Sequence, residues 1–409
     1  MKQYFLRLST SSQSIIKLLK LGLFIGCLLL NAINMLQPIN AQPTTLTNIV
    51  DVLVNDFYKD KQPKYATVVG IIDGDYQFVF PYGQLSDTDT TLADAQTIFH
   101  VGSIAKVFTS SIFVAMVADS LLQPTDIITK FLPDSLAAAN PYLHKISLHQ
   151  LATHTSGLPK TPYNIPQTLT EKDNPYANYQ TTDLYHFLMT YQPTTPHQKV
   201  KNKTTNQLSS AYEFNYSHLG MGLLGHIMEQ QSGKSLEVLL QEYINQPLQL
   251  NHTSISYNYQ NNKKPIKDTL LNNQPTLAIG HHFGGREAET LSYASLQGAE
   301  SLYSNVNDLM AFLRANIDET QPIHTILASG HRAYYPTQMR YVKAAYGWFA
   351  ISKGKKDKRP TVMTHSGRTG GYSNYIAFDK TKKVGVVVLS NSAHRVDELG
   401  IALLQVLIP

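Results

Sequence analysis

The sequence contains almost no cysteine and little charge. Cys27 is the only cysteine among 409 residues, and 15% of the residues are charged. A single cysteine excludes an internal disulfide and a metal site built from several thiolates. A hydrophobic share of 43% excludes a disordered chain, and the chain has neither the glycine period of collagen nor the heptads of a coiled coil. The length suits one large globular domain or two modest ones.

The N-terminal segment has the composition of a secretory signal. Residues 1–41 contain four basic residues and no acidic one, and the apolar run after Lys20 covers only residues 21–30. This run is too short to span a membrane, which takes about 20 apolar residues, but it suits a signal core of about 7–15 residues. We predict that residues 1–41 form a signal peptide, which is cleaved after the small residue Ala41.

Two alternatives for this segment are an uncleaved anchor and lipidation of Cys27. The residues after Cys27 are mostly apolar, whereas the linker of a lipoprotein is polar. Cleavage would remove Cys27, so no cysteine nucleophile would remain, and it would leave no stable membrane anchor. Four of the 34 basic residues would also be lost, which leaves 30 against 29 acidic residues. This nearly neutral balance does not favour nucleic-acid binding.

Strand patterns lie towards the two ends of the chain, and helical patterns lie between them. The predicted strands cover residues 66–73, 76–82, 346–352, 361–365, 372–379 and 384–390. Three helices are predicted: one begins near Ser103, a second covers 219–244 with a break at Ser232-Gly233, and a third covers 397–408 at the end of the chain. Residues 160–210 are predicted as a long loop. We predict an α/β (α+β) fold with one antiparallel sheet that is built from both chain ends and flanked by helices.

The same pattern predicts how the chain is divided. A single domain would cover residues 42–409, with a sheet part at about 42–100 and 290–409. A mainly helical subdomain at about 101–289 would be inserted between the two sheet segments.

The pattern S-x-x-K occurs three times, in different surroundings. Ser14–Lys17 lies in the predicted signal peptide, and Ser352–Lys355 lies at the end of a predicted strand among several lysines. Only Ser103–Lys106 stands at the start of a strongly apolar helix. There the backbone N–H groups and the helix dipole favour negative charge that develops on Ser103, and the side chain three residues later lies on the same face.

This spacing gives Ser103 a base that can activate it. A serine hydroxyl is a poor nucleophile until a neighbouring base removes its proton. Lys106 can do this if burial and nearby cations keep its amine neutral for part of the time. On this motif alone, an N-capping serine followed by a surface lysine is an equally good interpretation.

Two later stretches strengthen the case for an active site. Tyr216 lies in a loop just before a predicted helix, and the run His365-Ser366-Gly367-Arg368 ends a predicted strand. Gly367 would let a ligand lie against the strand backbone. Taken alone, Tyr216 is more often a packed aromatic and His365 a hydrogen-bonded strand histidine, but their joint occurrence after S-x-x-K is hard to produce by accident.

The histidines do not indicate a metal centre. The pair His281-His282 lies in a glycine-rich loop, without a nearby cysteine and without H-E-x-x-H spacing. We therefore predict no metal ion and no cofactor.

Six stretches carry a resemblance to a known family, in the order in which that family has them. They read FHVGSIAKVFTS, ISLHQLATHTSGLP, FNYSHLGMGLLGHIMEQQSGKS, AESLYSNVNDLMAFL, AAYGWF and THSGRTGGYSNYIAFDKTKKVGVVVLSN. The chain resembles the serine β-lactamase and penicillin-binding-protein superfamily, in its class C and DD-peptidase-like branch. The resemblance covers most of residues 65–392.

The resemblance implies a role for each matching residue. Ser103 would be the acylated nucleophile, and Lys106 and Tyr216 would share the acid–base work. His365-Ser366-Gly367 would take the strand position that K-T-G has elsewhere in the superfamily. The backbone N–H groups of Ser103 and Arg368 would form the oxyanion hole.

Two residues depart from the family's pattern. The second motif normally reads Tyr-x-Asn, and here His218 stands in the place of the asparagine, which in the family bonds the lysine and the substrate's side-chain amide. His365 stands where efficient class C β-lactamases have lysine. A histidine is mostly neutral near pH 7, so it would attract a substrate carboxylate less unless Arg368 compensates. Both departures argue against a dedicated, fast β-lactamase.

Three functional hypotheses follow from the resemblance. The first is a secreted, periplasmic bacterial serine hydrolase that forms an acyl-enzyme with D-Ala-D-Ala-type peptides of peptidoglycan or with β-lactams, which would be substrates or inhibitors. The second is an esterase or D-amino-acid amidase with the same site. The third is a non-hydrolytic penicillin-binding or scaffold protein.

Overall fold

The computed structural model describes residues 42–59, 64–165, 174, 176–193, 213–256, 275–332, 334–352 and 361–408. The predicted signal peptide, residues 1–41, lies outside the described residues. Part of the predicted loop at 160–210 also lies outside them.

Both ends of the described chain supply strands. The strands are β1 (Thr67–Asp73), β2 (Tyr76–Tyr82), β3 (Phe99–His100), β4 (Tyr303–Ser304), β5 (Tyr335–Pro336), β6 (Val342–Ala344), β7 (Phe349–Ile351), β8 (Val362–Arg368), β9 (Ser373–Asp379) and β10 (Val384–Ser390).

Most helices lie between the two groups of strands. The α-helices are α1 (Gln42–Phe57), α2 (Ala105–Ala118), α3 (Asp134–Ala139), α4 (Leu148–Ala152), α5 (Thr181–Thr190), α6 (His218–Ser232), α7 (Leu236–Leu240), α8 (Gln246–Leu248), α9 (Val306–Ile317), α10 (His324–Ser329) and α11 (Asp397–Leu407). A π-helical turn, Gln241–Asn245, joins α7 to α8, and short 3-10 turns occur at Gly102–Ile104, Ile128–Phe131, Pro141–Lys145 and Gln297–Ala299.

An eight-stranded sheet in the order β2-β1-β10-β9-β8-β7-β6-β5 forms the centre of the fold. All its neighbouring strands are antiparallel. The two chain ends meet where β1 pairs with β10, with Val69 opposite Val388. This arrangement confirms the predicted fold class.

The central strands are apolar on both faces because helices cover both faces. Every residue of β9 and β10 is buried, which is the pattern expected for a sheet between two helical layers. One apolar cluster joins the sheet to α1 and α11. A larger cluster joins the other face to α2, α6 and α9, and the candidate site lies on this side.

The structure differs from the sequence-based prediction in several segments, and the helices α1, α9 and α10 have no predicted counterpart. The predicted loop at 160–210 contains a helix, α5, whose residues Leu184, Phe187 and Leu188 are buried; its proline- and asparagine-rich surroundings obscured this short apolar stripe. The edge strand β5 and its neighbour β6 were also missed, because two or three residues are too few to show an alternating pattern. Within the described residues, no helix combines the length and hydropathy needed to cross a membrane.

Candidate active site

The first part of the site is a 3-10 turn followed by α2. This turn, Gly102–Ile104, contains Ser103, and α2 begins two residues later. The Lys106 Nζ atom lies 3.1 Å from the Ser103 Oγ atom. Lys106 is fully buried, whereas 7% of Ser103 is exposed. The structure thus brings the predicted pair together, and the lysine is not on the surface.

The start of α6 supplies the second part of the site. Ser217 caps this helix: its Oγ accepts a hydrogen bond from the Gly220 N–H at 2.8 Å and donates one to the Pro159 carbonyl at 2.6 Å. The cap holds the residues on either side of Ser217 against Lys106. The Lys106 Nζ atom lies 5.2 Å from the centre of the Tyr216 ring and 3.4 Å from His218 Nδ1.

Glu300 is a third part of the site, and our sequence analysis gave it no role. The Ser103 hydroxyl donates to Glu300 Oε1 at 2.9 Å, and His218 Nδ1 lies 2.8 Å from the same oxygen. The short sheet of β3 and β4 places Glu300 there, because it pairs residues just before Ser103 with residues just after Glu300. The one sequence feature that could have pointed to Glu300 is its position between two small residues in the family stretch AESLYS.

A buried carboxylate beside a buried amine shifts the pKa of both groups. Burial lowers the pKa of Lys106 to about 8, although the charge of Glu300 opposes this shift; the charge of Lys160 lowers the pKa further. Burial by itself would raise the pKa of Glu300, but the hydrogen bond from His218 and the charge of Lys106 lower it to about 2. At neutral pH the site therefore holds a carboxylate next to a lysine that is mostly protonated.

The aromatic groups of the site are neutral near pH 7. Burial raises the pKa of Tyr216, and an interaction with the Ser103 hydroxyl opposes part of the rise. Burial, together with the charge of Lys106, lowers the pKa of His218. A neutral imidazole has one N–H, and a ring nitrogen 2.8 Å from a carboxylate must donate. His218 therefore carries its proton on Nδ1.

Strand β8 places His365 and Ser366 beside the site. His365 Nδ1 contacts the Ser366 carbonyl at 2.8 Å, and burial and the charge of Lys106 lower the pKa of His365 to about 3. The His365 ring stacks on Phe349 at 5.4 Å. Ser366 donates to Asp397 Oδ1, at the start of α11. His365 is thus uncharged, and the Ser366 hydroxyl already has an anionic partner.

We expected a ligand to lie against Gly367, but in the structure the backbone at Val101 lies against it. A Cβ atom on Gly367 would lie 1.8 Å from the Val101 carbonyl oxygen, and one on Gly102 would lie 2.9 Å from the Arg368 nitrogen. Gly102 also has a φ of +56°, which L side chains rarely adopt. These glycines let the turn that carries Ser103 lie directly against the end of β8. The exposed Arg368 side chain makes no ion pair within the described part of the chain.

The other sequence motifs either lie at least partly outside the described residues or have other partners. Ser14 and Lys355 lie outside the described residues. His281 stacks on Tyr65 at 3.7 Å, and its Nδ1 contacts the Asn391 carbonyl. Within the described residues, no group of three or more His, Cys, Asp or Glu side chains could hold a metal ion.

Comparison with known proteins places the chain in one family. A family model described as Beta-lactamase matches residues 58–407. A β-lactamase from Pseudomonas fluorescens is 23% identical over 378 residues, which cover 85% of this chain and 94% of the relative. A D-alanyl-D-alanine-carboxypeptidase/endopeptidase AmpH from Escherichia coli K12 is 22% identical over 375 residues, which cover 88% and 87% of the two chains.

Solved structures show the same architecture. A class C β-lactamase structure superposes with a TM-score of 0.72 and 19% identity, covering 90% of this chain and 99% of the other. A class C β-lactamase from Rhodobacter sphaeroides gives a TM-score of 0.68 and 21% identity, covering 88% and 98%. At these identities the likeness shows the fold. With the family match over residues 58–407, it means that the chain belongs to the Beta-lactamase family and is a serine hydrolase of that family.

Proposed function

We infer that this protein hydrolyses acyl compounds through an acyl-enzyme on Ser103. One observation carries the proposal: a serine at the start of a buried helix has a lysine amine 3.1 Å from its hydroxyl. Burial keeps the pKa of that amine at about 8, within reach of neutral pH. Such a lysine can exchange protons with a reacting group, whereas a surface lysine would stay charged.

Lys106 and Tyr216 share the acid–base work of this reaction. The Tyr216 ring lies 5.2 Å from Lys106 Nζ, and its hydroxyl stays protonated because burial raises its pKa. Both groups can therefore supply a proton to a leaving group. The backbone N–H groups of Ser103 and Arg368 form the oxyanion hole, and the contact of Gly102 with the Arg368 backbone supports this assignment.

The substrate is a D-Ala-D-Ala-type peptide of peptidoglycan or a β-lactam, which can also act as an inhibitor. The relatives support this choice, because they are named as β-lactamases and as a D-alanyl-D-alanine-carboxypeptidase/endopeptidase. Arg368 is the cation of the β8 motif, and its exposed side chain can meet a substrate carboxylate.

An ester or a D-amino-acid amide is the second candidate substrate. The observation that favours it is the lack of positive charge on His365, whose pKa is lowered to about 3. His365 donates from Nδ1 to the Ser366 carbonyl, so it has no second N–H for a carboxylate. A scaffold protein that only binds penicillin is the remaining hypothesis, and the assembled site makes it the weakest.

A fluorescent penicillin and a fluorophosphonate, applied to the purified protein without residues 1–41, separate these functions. A transient penicillin adduct identifies a β-lactamase, and a stable one identifies a penicillin-binding protein. Labelling by the fluorophosphonate alone identifies an esterase or amidase. Mass spectrometry should place each adduct on Ser103.

Ser103→Ala should abolish every adduct, and the matched control is Ser352→Ala, which changes the serine of a second S-x-x-K. Full labelling of Ser103→Ala, or an adduct on Ser352, would contradict the proposal.

We also place the mature protein in the bacterial periplasm, in keeping with the predicted signal peptide. The measurement is the N-terminal sequence of the protein recovered from a periplasmic fraction, which should begin at Gln42. Recovery with an intact N-terminus in the membrane fraction would contradict cleavage.

A further inference from the structure

The Ser103 hydroxyl has a second group beside it that can accept its proton, the Glu300 carboxylate. Its oxygen lies 3.1 Å from Lys106 Nζ and 2.9 Å from Glu300 Oε1. A protonated lysine has three N–H donors and no acceptor. Lys106 uses one of these donors on the Ala299 carbonyl at 2.6 Å and can use another on the Ser103 oxygen. The hydroxyl proton of Ser103 is therefore directed at the carboxylate.

We propose that Glu300 is a catalytic residue that accepts the proton of Ser103 when the acyl-enzyme forms. The proposal rests on the proposed function, in which Ser103 is the nucleophile. Glu300 qualifies because its Oε1 atom contacts the reacting oxygen directly. In this proposal Glu300 is the general base of acylation and Lys106 is the general acid.

The acylation step balances as follows. The Ser103 Oγ atom bonds to the substrate's carbonyl carbon, and its proton passes to Glu300 Oε1. The bond from that carbon to the leaving nitrogen or oxygen breaks, and the leaving group takes a proton from the Lys106 ammonium. The products are the acyl-serine, the released amine or alcohol, a neutral Glu300 and a neutral Lys106.

The deacylation step restores the resting charges. Water attacks the carbonyl carbon of the acyl-serine and gives one proton to the neutral Lys106 amine, while the bond from that carbon to Ser103 Oγ breaks and Oγ takes the proton of the neutral Glu300 carboxyl group. The products are the free acid, the Ser103 hydroxyl, the Lys106 ammonium and the Glu300 carboxylate. The His218 Nδ1–H group, 2.8 Å from Glu300 Oε1, keeps its proton throughout.

The surroundings of Glu300 keep it ionised. The charged and titratable groups that face it are Lys106, His218, Tyr216, Tyr293, Tyr176 and His100. Of these, Lys106 and His218 favour the carboxylate and hold its pKa at about 2. Tyr293 donates to Oε2 at 3.5 Å, and the His100 ring contacts the Glu300 backbone carbonyl at 2.8 Å. A carboxylate of low pKa accepts a proton reluctantly, so the transfer must be concerted with proton donation by Lys106.

The competing mechanism makes neutral Lys106 the base. With a pKa of about 8, only about one tenth of the amine is neutral at pH 7. The negative charge of Glu300 opposes that neutral form, because it raises the pKa of Lys106. The two mechanisms therefore predict opposite effects of removing the charge of Glu300.

The test measures the second-order rate of Ser103 labelling by a fluorophosphonate, a probe that does not depend on the natural substrate. Glu300→Gln keeps the shape and the hydrogen bonds but cannot accept the proton. At pH 7 its labelling rate should fall by about 10²–10⁴-fold, the usual share of general base catalysis. Glu300→Asp keeps a carboxylate and should label at least about tenfold faster than Glu300→Gln.

The matched control is Glu229→Gln, which removes a partly buried carboxylate elsewhere, on α6. Its labelling rate should stay within about twofold of the wild-type rate, as for a site outside the reacting groups. If Glu300→Gln labels as fast as the wild type or faster, Lys106 is the base and the proposal is wrong. If Glu300→Asp is no better than Glu300→Gln, the effect is structural and the proposal is also wrong.

The same assay separates this proposal from the proposed function. Labelling that persists in Ser103→Ala would overturn the function itself. Labelling that is lost in Ser103→Ala but intact in Glu300→Gln would overturn only the role of Glu300.

Discussion

Gly367→Ala tests whether the contact between β8 and the serine turn sets the geometry of the site. In the structure an added Cβ atom would lie 1.8 Å from the Val101 carbonyl oxygen. Real Cβ atoms do not come closer than 3.0 Å to a neighbour, so the two backbones would have to separate by more than 1 Å. Val101 lies two residues before Ser103, and the displacement would reach the nucleophile.

The expected effect is large on reactivity and moderate on stability. A misplacement of about 1 Å in a catalytic group can cost about 10²-fold in rate. Overpacking a well-packed contact costs about 1–3 kcal/mol of unfolding free energy. The assays are the second-order rate of Ser103 labelling by a fluorophosphonate and chemical denaturation of the same preparation.

Gly330→Ala is the matched control for this prediction. Gly330 is also buried, but an added Cβ atom there would lie 3.3 Å from its nearest neighbour, the Leu327 carbonyl oxygen. Its labelling rate should stay within about threefold of the wild type, because a small local shift does not reach Ser103. A Gly367→Ala protein that labels at the wild-type rate would refute the view that this backbone contact positions the nucleophile.

The remaining predictions concern proton transfer and charge. Lys106→Ala and Tyr216→Phe should each slow penicillin acylation by about 10²–10⁴-fold, and the double variant should lose less than the product because both act on one reaction; fully multiplicative losses would show two independent residues. Because the pKa of Glu300 is lowered from 4.5 to about 2, its ionised form stabilises the folded state above pH 4.5, and this stabilisation, on the order of 3 kcal/mol, is lost as the pH falls towards 2. Denaturation at several acidic pH values should therefore show that Glu300→Gln loses less unfolding free energy than the wild type as the pH falls. Equal losses would contradict a lowered pKa of Glu300. The labelling rate of the wild type should fall below pH 6.5, the ordinary pKa of histidine, because protonation at Nε2 gives His218 a positive charge that strengthens its hydrogen bond to Glu300. His218→Asn should remove this fall, and superimposable pH profiles would mean that His218 takes no part.

Local patterns in the sequence were sufficient to predict several long elements of the fold, but not the helices α1 and α9. The strands β1, β2, β9 and β10 lie within one residue of their predicted bounds, because each has six or more residues of strand type between clear turns. The helix α11 is likewise bounded where its apolar stripe ends. The helix α5 was missed, since its buried face has only a few residues and is surrounded by loop-forming ones.

Contacts between distant segments could be predicted only in part. The pair Ser103 and Lys106 follows from helical spacing, because the two residues lie one turn apart. That Tyr216 and His218 lie near this pair was predicted from the order of the family motifs and not from geometry. Glu300 lies 197 residues after Ser103, and no periodicity links them. Its place depends on the short pairing of β3 with β4, which is too small to leave a pattern.

Glu300 gives a physical reason for His218, one of the two residues at which this chain departs from the family's pattern. On the sequence alone, His218 in place of asparagine looks like a loss of substrate recognition. In the structure His218 Nδ1 lies 2.8 Å from Glu300 Oε1, and a buried carboxylate requires such a donor. Asparagine has an amide N–H that could also donate, but it cannot become positively charged at acidic pH as an imidazole can. His218 and Glu300 therefore form one unit, in which the hydrogen bond from His218 helps to keep Glu300 ionised.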